Sequence, residues 1–118
     1  MCAAACICNP FDILEVDKQM EGFNFGIYHR VMGKNKVKTM LKQKPEILAG
    51  LEASAPGTIK ELVKITKTAR DFDRYFIAPT FGFKTPEALY KHISCIHRLA
   101  SIKVPTFFLS SLNDPVIK

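Results

Sequence analysis

The clearest indication of the fold is the segment Lys103-Val104-Pro105-Thr106-Phe107-Phe108-Leu109-Ser110-Ser111-Leu112-Asn113-Asp114-Pro115-Val116. Its apolar, β-favouring run follows Pro105 and ends in small and polar residues, with the carboxylate of Asp114 just past the end. Such runs are typical of parallel strands buried on both faces. Because ligands in open α/β sheets bind outside the carboxyl ends of the strands, Asp114 is a candidate functional acid. A simple Asn-Asp-Pro turn is the alternative.

A second apolar run, Ala3 to Cys8, lies near the other end of the sequence and stops at Asn9-Pro10-Phe11-Asp12. It predicts another central strand buried on both faces. Strands that alternate with helices indicate an α/β fold with a parallel sheet. Because two strands do not complete such a sheet, we expect its other strands to come from elsewhere.

From Ile13 to about Leu48 the apolar residues recur at the spacing of a helix. The recurring positions are Phe25, Tyr28, Val31, Met32, Val37, Met40 and Leu41. Gly22, Gly26 and Gly33 interrupt this pattern, which predicts short helices and not one long helix.

Lys34, Lys38 and Lys42 follow one another at four-residue steps on the second of these predicted helices. A basic stripe of this kind can be a solvated face or can bind an anionic membrane surface. Aromatic residues are not interleaved with the lysines as a nucleic-acid stacking platform requires, so we do not expect a nucleic-acid partner.

Thr58-Ile59-Lys60-Glu61 has the form of a capping box and predicts the start of a helix. Its expected inward stripe is Ile59, Leu62, Val63 and Thr66, and the helix is expected to run into the segment Arg70–Phe76. The charges of that segment favour exposed ion pairs, with a polar network under a lid as the alternative.

Thr85 and Pro86 predict the cap and first position of another helix. Leu89, Ile93 and Ile96 are expected to line one face of it. His92 and His97 lie nearby, and no cysteine or serine has the spacing of a nucleophile relative to either, so we interpret both as surface histidines.

Composition describes one small domain of 118 residues that is 47% hydrophobic, with a net charge of +6 and a pI near 9.3. We predict no membrane-spanning segment and no secretory signal, and a cytoplasmic or membrane-associated location. Cys2, Cys6, Cys8 and Cys95 do not have the spacing of zinc ligands, so buried free thiols and no metal or other cofactor are expected.

The order of several short motifs resembles the YheT-like branch of the α/β-hydrolase superfamily. These motifs are Asn9-Pro10-Phe11-Asp12 after a strand, Arg70-Asp71-Phe72-Asp73 before Phe81-Gly82-Phe83, Tyr90, and Val104-Pro105-Thr106 leading to Asn113-Asp114-Pro115. The resemblance covers nearly the whole chain. It implies an α/β class and a partial α/β-hydrolase fold, in which two parallel strands carry a helical cap insertion and flanking helices.

The resemblance also implies a division of the chain and a role for several residues. Residues 1–12 would form a strand and turn, 13–80 the cap helices, 81–103 a helix and connector, and 104–118 a strand and acid loop. Asp114 matches the charge-relay acid of the family, although relatives often carry two consecutive aspartates where this chain has Asn113 and Asp114. The apolar residues expected near an acyl pocket, if they do not simply pack within the cap, are Phe23, Phe25, Tyr28, Phe81 and Phe83.

Two parts of a serine-hydrolase triad are not found in the sequence. It has no G-x-S-x-G elbow, and no histidine follows Asp114. We therefore expect a C-terminal-half fragment of a serine ester hydrolase for acyl lipids or small esters, inactive alone and partnered by the remainder of the domain. The alternative is a non-catalytic basic module that binds a membrane surface or a partner protein.

Overall fold

The computed structural model describes residues 3–114, and within them two short strands flank a series of helical segments. The strands are β1 (Ala4–Ile7) and β2 (Thr106–Leu109). The helices are α1 (Ile13–Gly22), α2 (Ile27–Met40), α3 (Pro45–Ser54), α4 (Ile59–Ile65), α5 (Ala69–Phe72), α6 (Ala78–Thr80) and α7 (Pro86–Ile93). Short 3₁₀ segments span Phe23–Gly26 and Ile96–Ser101, and a π-helical turn, Asp73–Ile77, joins α5 to α6.

The two strands pair in parallel, as the sequence predicted. Ala4 lies opposite Thr106 and Ile7 opposite Leu109. Beyond the strand, the Cys8 N–H donates to the Leu109 carbonyl at 2.8 Å. The fold is therefore a mixed α/β arrangement that is consistent with part of an α/β-hydrolase fold.

The prediction that both strands are buried on both faces is wrong for the described residues. Ile7 is 67% exposed, Phe107 62% and Leu109 50%. The physical reason is that residues 3–114 supply a sheet of two strands, so these apolar side chains have no further strands beside them. The strand thiol Cys6 is accordingly half-buried and free, as are Cys8 and Cys95, whereas Cys2 lies outside the described residues.

The junction between α1 and α2 follows two of the three predicted glycines. Gly22 ends α1, and Gly26 precedes α2 with a left-handed φ of 72°. Gly33 was expected to interrupt the helix but lies inside α2 and is buried. A Cβ atom there would lie 2.4 Å from the Thr68 carbonyl carbon, so this glycine allows the backbones of α2 and α5 to touch.

Two small apolar cores hold the helices together. The first contains Met40, Leu62, Phe72 and Phe76, and the second contains Ala78, Leu89 and Tyr90. No helix within residues 3–114 is long and apolar enough to cross a membrane.

Hydrogen-bonding side chains cap the starts of α1, α4, α5 and α7. The capping box of Thr58 and Glu61 is confirmed, and so is the cap of α7, where the Ala88 N–H donates to the Thr85 hydroxyl at 3.2 Å. A second capping box, made by Thr68 and Asp71, starts α5.

Two predicted helix features are wrong. The helix that begins after Thr58 does not continue into Arg70–Phe76, because α4 ends at Ile65 and the capping box of Thr68 starts a new helix. In the predicted stripe of α7, Leu89 is buried, but Ile93 and Ile96 are 52% and 51% exposed. The reason is that α7 ends at Ile93, where Ser94 turns to an extended conformation.

Substitution of Gly33 by alanine should destabilise the protein by about 1–3 kcal/mol, because the added methyl group overlaps the backbone at Thr68. Gly50 is the matched control, since it also lies in a helix but has nothing within 4 Å of an added Cβ. Gly50→Ala should instead stabilise by about 0.5–1 kcal/mol. Urea unfolding of both variants tests this, and equal effects would contradict the close approach of α2 and α5.

Candidate functional site

The carboxyl ends of β1 and β2 lie at the same edge of the sheet because the strands are parallel. At this edge the chain leaves β1 through Cys8, which has a left-handed φ of 48°, and continues to Asp12. Asp12 then caps α1 by accepting from the N–H groups of Leu14 at 3.0 Å and Glu15 at 3.2 Å. This edge is where an α/β sheet presents a ligand site.

Asp114 lies at this edge, in a turn past the end of β2. Its N–H donates to the Ser111 carbonyl at 3.5 Å, and the Ser111 hydroxyl donates to Asn113 Oδ1 at 2.6 Å. The Asp114 residue is half-buried. The segment is thus a turn that also carries an acid at the carboxyl edge of the sheet. Pro115, the next residue of the predicted turn, lies outside the described residues. The catalytic role of Asp114 stays a prediction.

Phe11 ties the edge of the sheet to the segment that follows α7. Its ring meets the Phe108 ring edge-on, with centroids 5.4 Å apart. Its carbonyl accepts from the N–H groups of Cys95 and Ile96, both at 3.0 Å. Beside this contact the Ser94 hydroxyl accepts from the Ile13 N–H at 2.9 Å. The loop after β1 and the chain leading to β2 are therefore fixed to each other.

The five aromatic residues expected near an acyl pocket fall into two groups. Phe23, Phe25 and Tyr28 lie around the α1–α2 junction, where Phe25 is 92% exposed and has a left-handed φ of 54°. Phe81 and Phe83 lie between α6 and α7, with Phe81 exposed and Phe83 packed on the second core and 5.2 Å from the His92 ring. Their role at a substrate site stays a prediction.

An apolar groove of about 500 Å³ lies between α2, α3 and the π-helical turn. Its apolar lining consists of Met32, Met40, Leu51, Phe72 and Ile77, and none of the five predicted aromatic residues contributes to it. Sequence reasoning missed this groove because its lining comes from elements far apart in the chain. The helical spacing of Met32 and Met40 in the sequence was the signal that could have indicated one wall of this groove.

A partly buried network centred on Arg70 joins three helices. Its guanidinium lies 2.8 Å from Glu21 Oε1 and 3.1 Å from Asp17 Oδ2, both on α1, and is hydrogen-bonded to Glu87 on α7. The hydrogen bond from Arg70 lowers the pKa of Glu87, and the same bond raises the pKa of Arg70. Burial raises the pKa of Asp17, which the charge of Arg70 offsets only in part.

His29, on α2, extends this network, and the sequence analysis did not identify it. It is 2% exposed, and its Nε2 lies 3.4 Å from Asp17 Oδ1, within ion-pair distance but outside hydrogen-bond geometry. His92 and His97 are exposed, as predicted.

A second polar cluster lies on the inner side of the π-helical turn. Asp73 Oδ1 accepts from Lys36 Nζ at 2.8 Å, and Asp73 Oδ2 accepts from the Tyr90 hydroxyl at 2.6 Å. Burial and the hydrogen bond to Asp73 raise the pKa of Tyr90. The favoured interpretation of Arg70–Phe76 as exposed ion pairs is therefore wrong for Arg70 and Asp73. Arg70 is partly buried and Asp73 is buried, and both pair with side chains of other helices because their helical segments pack against α1, α2 and α7.

Arg70→Gln should destabilise the protein by about 2–3 kcal/mol, because it leaves Asp17 and Glu87 without their cation. This cost is somewhat less than that of breaking a fully buried ion pair, since Arg70 is only partly buried. The control is Arg74→Gln on the next helical turn. Arg74 is 47% exposed and its nearest carboxylate, Asp71, is 4.0 Å away, so its loss should cost no more than about 0.5 kcal/mol.

The comparison is made by urea unfolding at neutral pH. Equal losses of stability in the two variants would contradict the structural role assigned to Arg70.

The sequence is similar over nearly its whole length to two enzymes of Saccharomyces cerevisiae. Medium-chain fatty acid ethyl ester synthase/esterase 2 is 28% identical over 98% of this chain and 29% of the enzyme, and monoacylglycerol lipase is 28% identical over 97% of this chain and 25% of the enzyme. Protein abhd-3.2 of Caenorhabditis elegans is 36% identical over 47 residues, which are 40% of this chain and 12% of that protein. No family model and no solved structure matches the chain significantly.

The relatives are proteins of the α/β-hydrolase superfamily. Over nearly its whole length the chain is similar to members of that superfamily. It spans between a quarter and three tenths of the length of the two yeast relatives, 25% and 29%. The parallel strands and the helices between them, within residues 3–114, are consistent with part of an α/β-hydrolase fold.

Proposed function

We propose that this chain contributes the charge-relay acid and a helical cap to a serine carboxylic-ester hydrolase. The observation that carries the proposal is the position of Asp114, half-buried in the loop that follows β2 at the carboxyl edge of a parallel sheet. An acid in this position in such enzymes holds a histidine in the tautomer that accepts the proton of the serine nucleophile. It also stabilises the imidazolium that forms as the serine attacks the ester carbonyl.

The serine and the histidine would come from other parts of a longer chain. Two observations support this. The yeast relatives are more than three times as long as the matched region. The apolar side chains of Ile7, Phe107 and Leu109 are exposed where a complete sheet would cover them. The remainder of the hydrolase domain is thus the first partner that we propose for the chain.

The proposed substrates are esters of medium or long acyl chains or small acyl esters. The support is that the names of two relatives specify a fatty acid ethyl ester and a monoacylglycerol. The residues around the α1–α2 junction and the α6–α7 turn, Phe23, Phe25, Tyr28, Phe81 and Phe83, would present apolar surface to such a substrate.

Asp114→Asn, tested in a protein that carries this chain together with the serine and histidine, should reduce ester turnover on the order of 10⁴-fold. The amide keeps the shape of the side chain but favours the wrong histidine tautomer. Hydrolysis of p-nitrophenyl esters measures the loss, with Asn113→Ala as the neighbouring control that should retain most activity. Unchanged turnover in Asp114→Asn would mean that another residue is the acid.

A second candidate function is a basic module that binds an anionic membrane surface from the cytoplasmic side. The observation in its favour is that Lys34, Lys38 and Lys42 are all exposed. Lys36 does not belong to this surface, because its ammonium pairs with Asp73.

Replacing Lys34, Lys38 and Lys42 by alanine should weaken binding to phosphatidylserine vesicles about 100-fold if this surface binds membranes, since each lysine near an anionic surface contributes about 1 kcal/mol. Vesicle sedimentation measures the change. The control replaces three other exposed lysines, Lys60, Lys64 and Lys91, and so removes the same charge. Equal loss in both variants would indicate an effect of net charge and not of this surface.

A further inference from the structure

The apolar groove between α2, α3 and the π-helical turn has the size of a small-molecule site. Its volume of about 500 Å³ lies within the roughly 300–1,000 Å³ of such sites. Its apolar side chains come from four elements, with Met32 and Met40 on α2, Leu51 on α3, Phe72 on α5 and Ile77 on the π-helical turn.

One wall of the groove is a single stripe of α2 and the turn after it, and this stripe is amphipathic. Alongside the two methionines it contains Asn35, Thr39 and Gln43, at three- and four-residue steps. Thr39 and Gln43 are exposed, so the groove has an apolar floor and an uncharged polar edge. This combination suits a molecule with a hydrocarbon chain and a polar end.

The charge of the groove favours a neutral ligand. Lys36 is the one charged residue among the described residues that line it, and its Nζ is paired with Asp73 at 2.8 Å. The same ammonium lies 5.6 Å from the centroid of the Phe72 ring, which also lines the groove. Because the lysine charge is already balanced, the groove offers no unpaired cation to a carboxylate.

We propose that this groove binds the acyl chain of a neutral fatty acyl ester. The inference rests on the proposed function, and it assigns the acyl chain to α2 and α3 in place of the aromatic residues expected from the sequence. Affinity should rise roughly fourfold with each added methylene until the groove is filled.

The absence of tryptophan from the sequence allows a direct test with single-tryptophan variants. Gln43→Trp places a reporter at the exposed edge of the groove, and Thr39→Trp does so one helical turn earlier. Phe81→Trp is the matched control outside the groove, at a residue that is 67% exposed. The probe is a medium-chain fatty acid methyl ester with a terminal bromine, which quenches a tryptophan on contact, and circular dichroism checks that each variant is folded.

The proposal expects saturable quenching in Gln43→Trp and Thr39→Trp and little quenching in Phe81→Trp. Quenching in Phe81→Trp alone would assign the acyl chain to the aromatic group and overturn the inference, as would quenching in none of the variants. Quenching of the groove reporters by brominated phosphatidylcholine vesicles but not by the monomeric ester would make the groove a membrane contact, and would also overturn it.

Failure of the groove and failure of the proposed function give different results. Asp114 does not line the groove, so Asp114→Asn should leave the quenching unchanged. Binding of the brominated ester without any ester turnover in the longer protein would retain the groove and remove the esterase proposal. Ester turnover in the longer protein, with no quenching in Gln43→Trp or Thr39→Trp, would retain the esterase proposal and remove the groove.

Discussion

The arrangement of the helices depends on the guanidinium of Arg70. It lies on α5 and contacts Asp17 and Glu21 of α1 and Glu87 of α7. One residue before it, at Ala69, the backbone of α5 touches α2 beside Gly33. A partly buried arginine can serve three carboxylates because its planar fork carries five N–H donors. The desolvation of these charges is costly, so such a network contributes more to the choice of one arrangement than to net stability.

This network also determines where the sheet edge lies relative to the helices. Helix α1 begins directly after the loop that leaves β1, and α7 ends where Ser94 accepts from the Ile13 N–H. Holding α1 against α7 therefore holds the exit of β1 against the chain that leads to β2, where the Phe11 carbonyl receives two further N–H groups. The position of the acid loop at the carboxyl edge is thus coupled, through ordinary hydrogen bonds, to packing inside the helical segment. A change in the helices can in this way alter the geometry of a site that they do not contact.

Local signals allowed the strands and several helix ends to be predicted from the sequence, because those features depend on a few neighbouring residues. The caps at Thr58 and Thr85 are of this kind, and so is the parallel pairing of the two apolar runs. Gly33, His29 and Arg70 could not be interpreted locally. Gly33 is required by a backbone segment that is distant in sequence. His29 is buried and Arg70 is partly buried, and both have their partners on other helices. The apolar groove escaped prediction for the same reason, and the role of Asp114 rests on family resemblance together with its place after β2.

The helices and the strands differ in how completely they bury and pair their own side chains. The helices enclose Phe76 and Ala78 fully, and pair Asp73 with both Lys36 and Tyr90. The strands instead leave Ile7 and Phe107 mostly in solvent, although their composition is that of a buried sheet. Packing and hydrogen bonds within the helices thus stabilise their arrangement, whereas the strands depend on neighbouring segments to bury their apolar side chains. The exposed faces of the two-stranded sheet are where the further strands expected from the sequence would pack. Asp114 follows β2 and so lies on the part of the molecule whose apolar side chains are exposed, whereas the helices bury their own core.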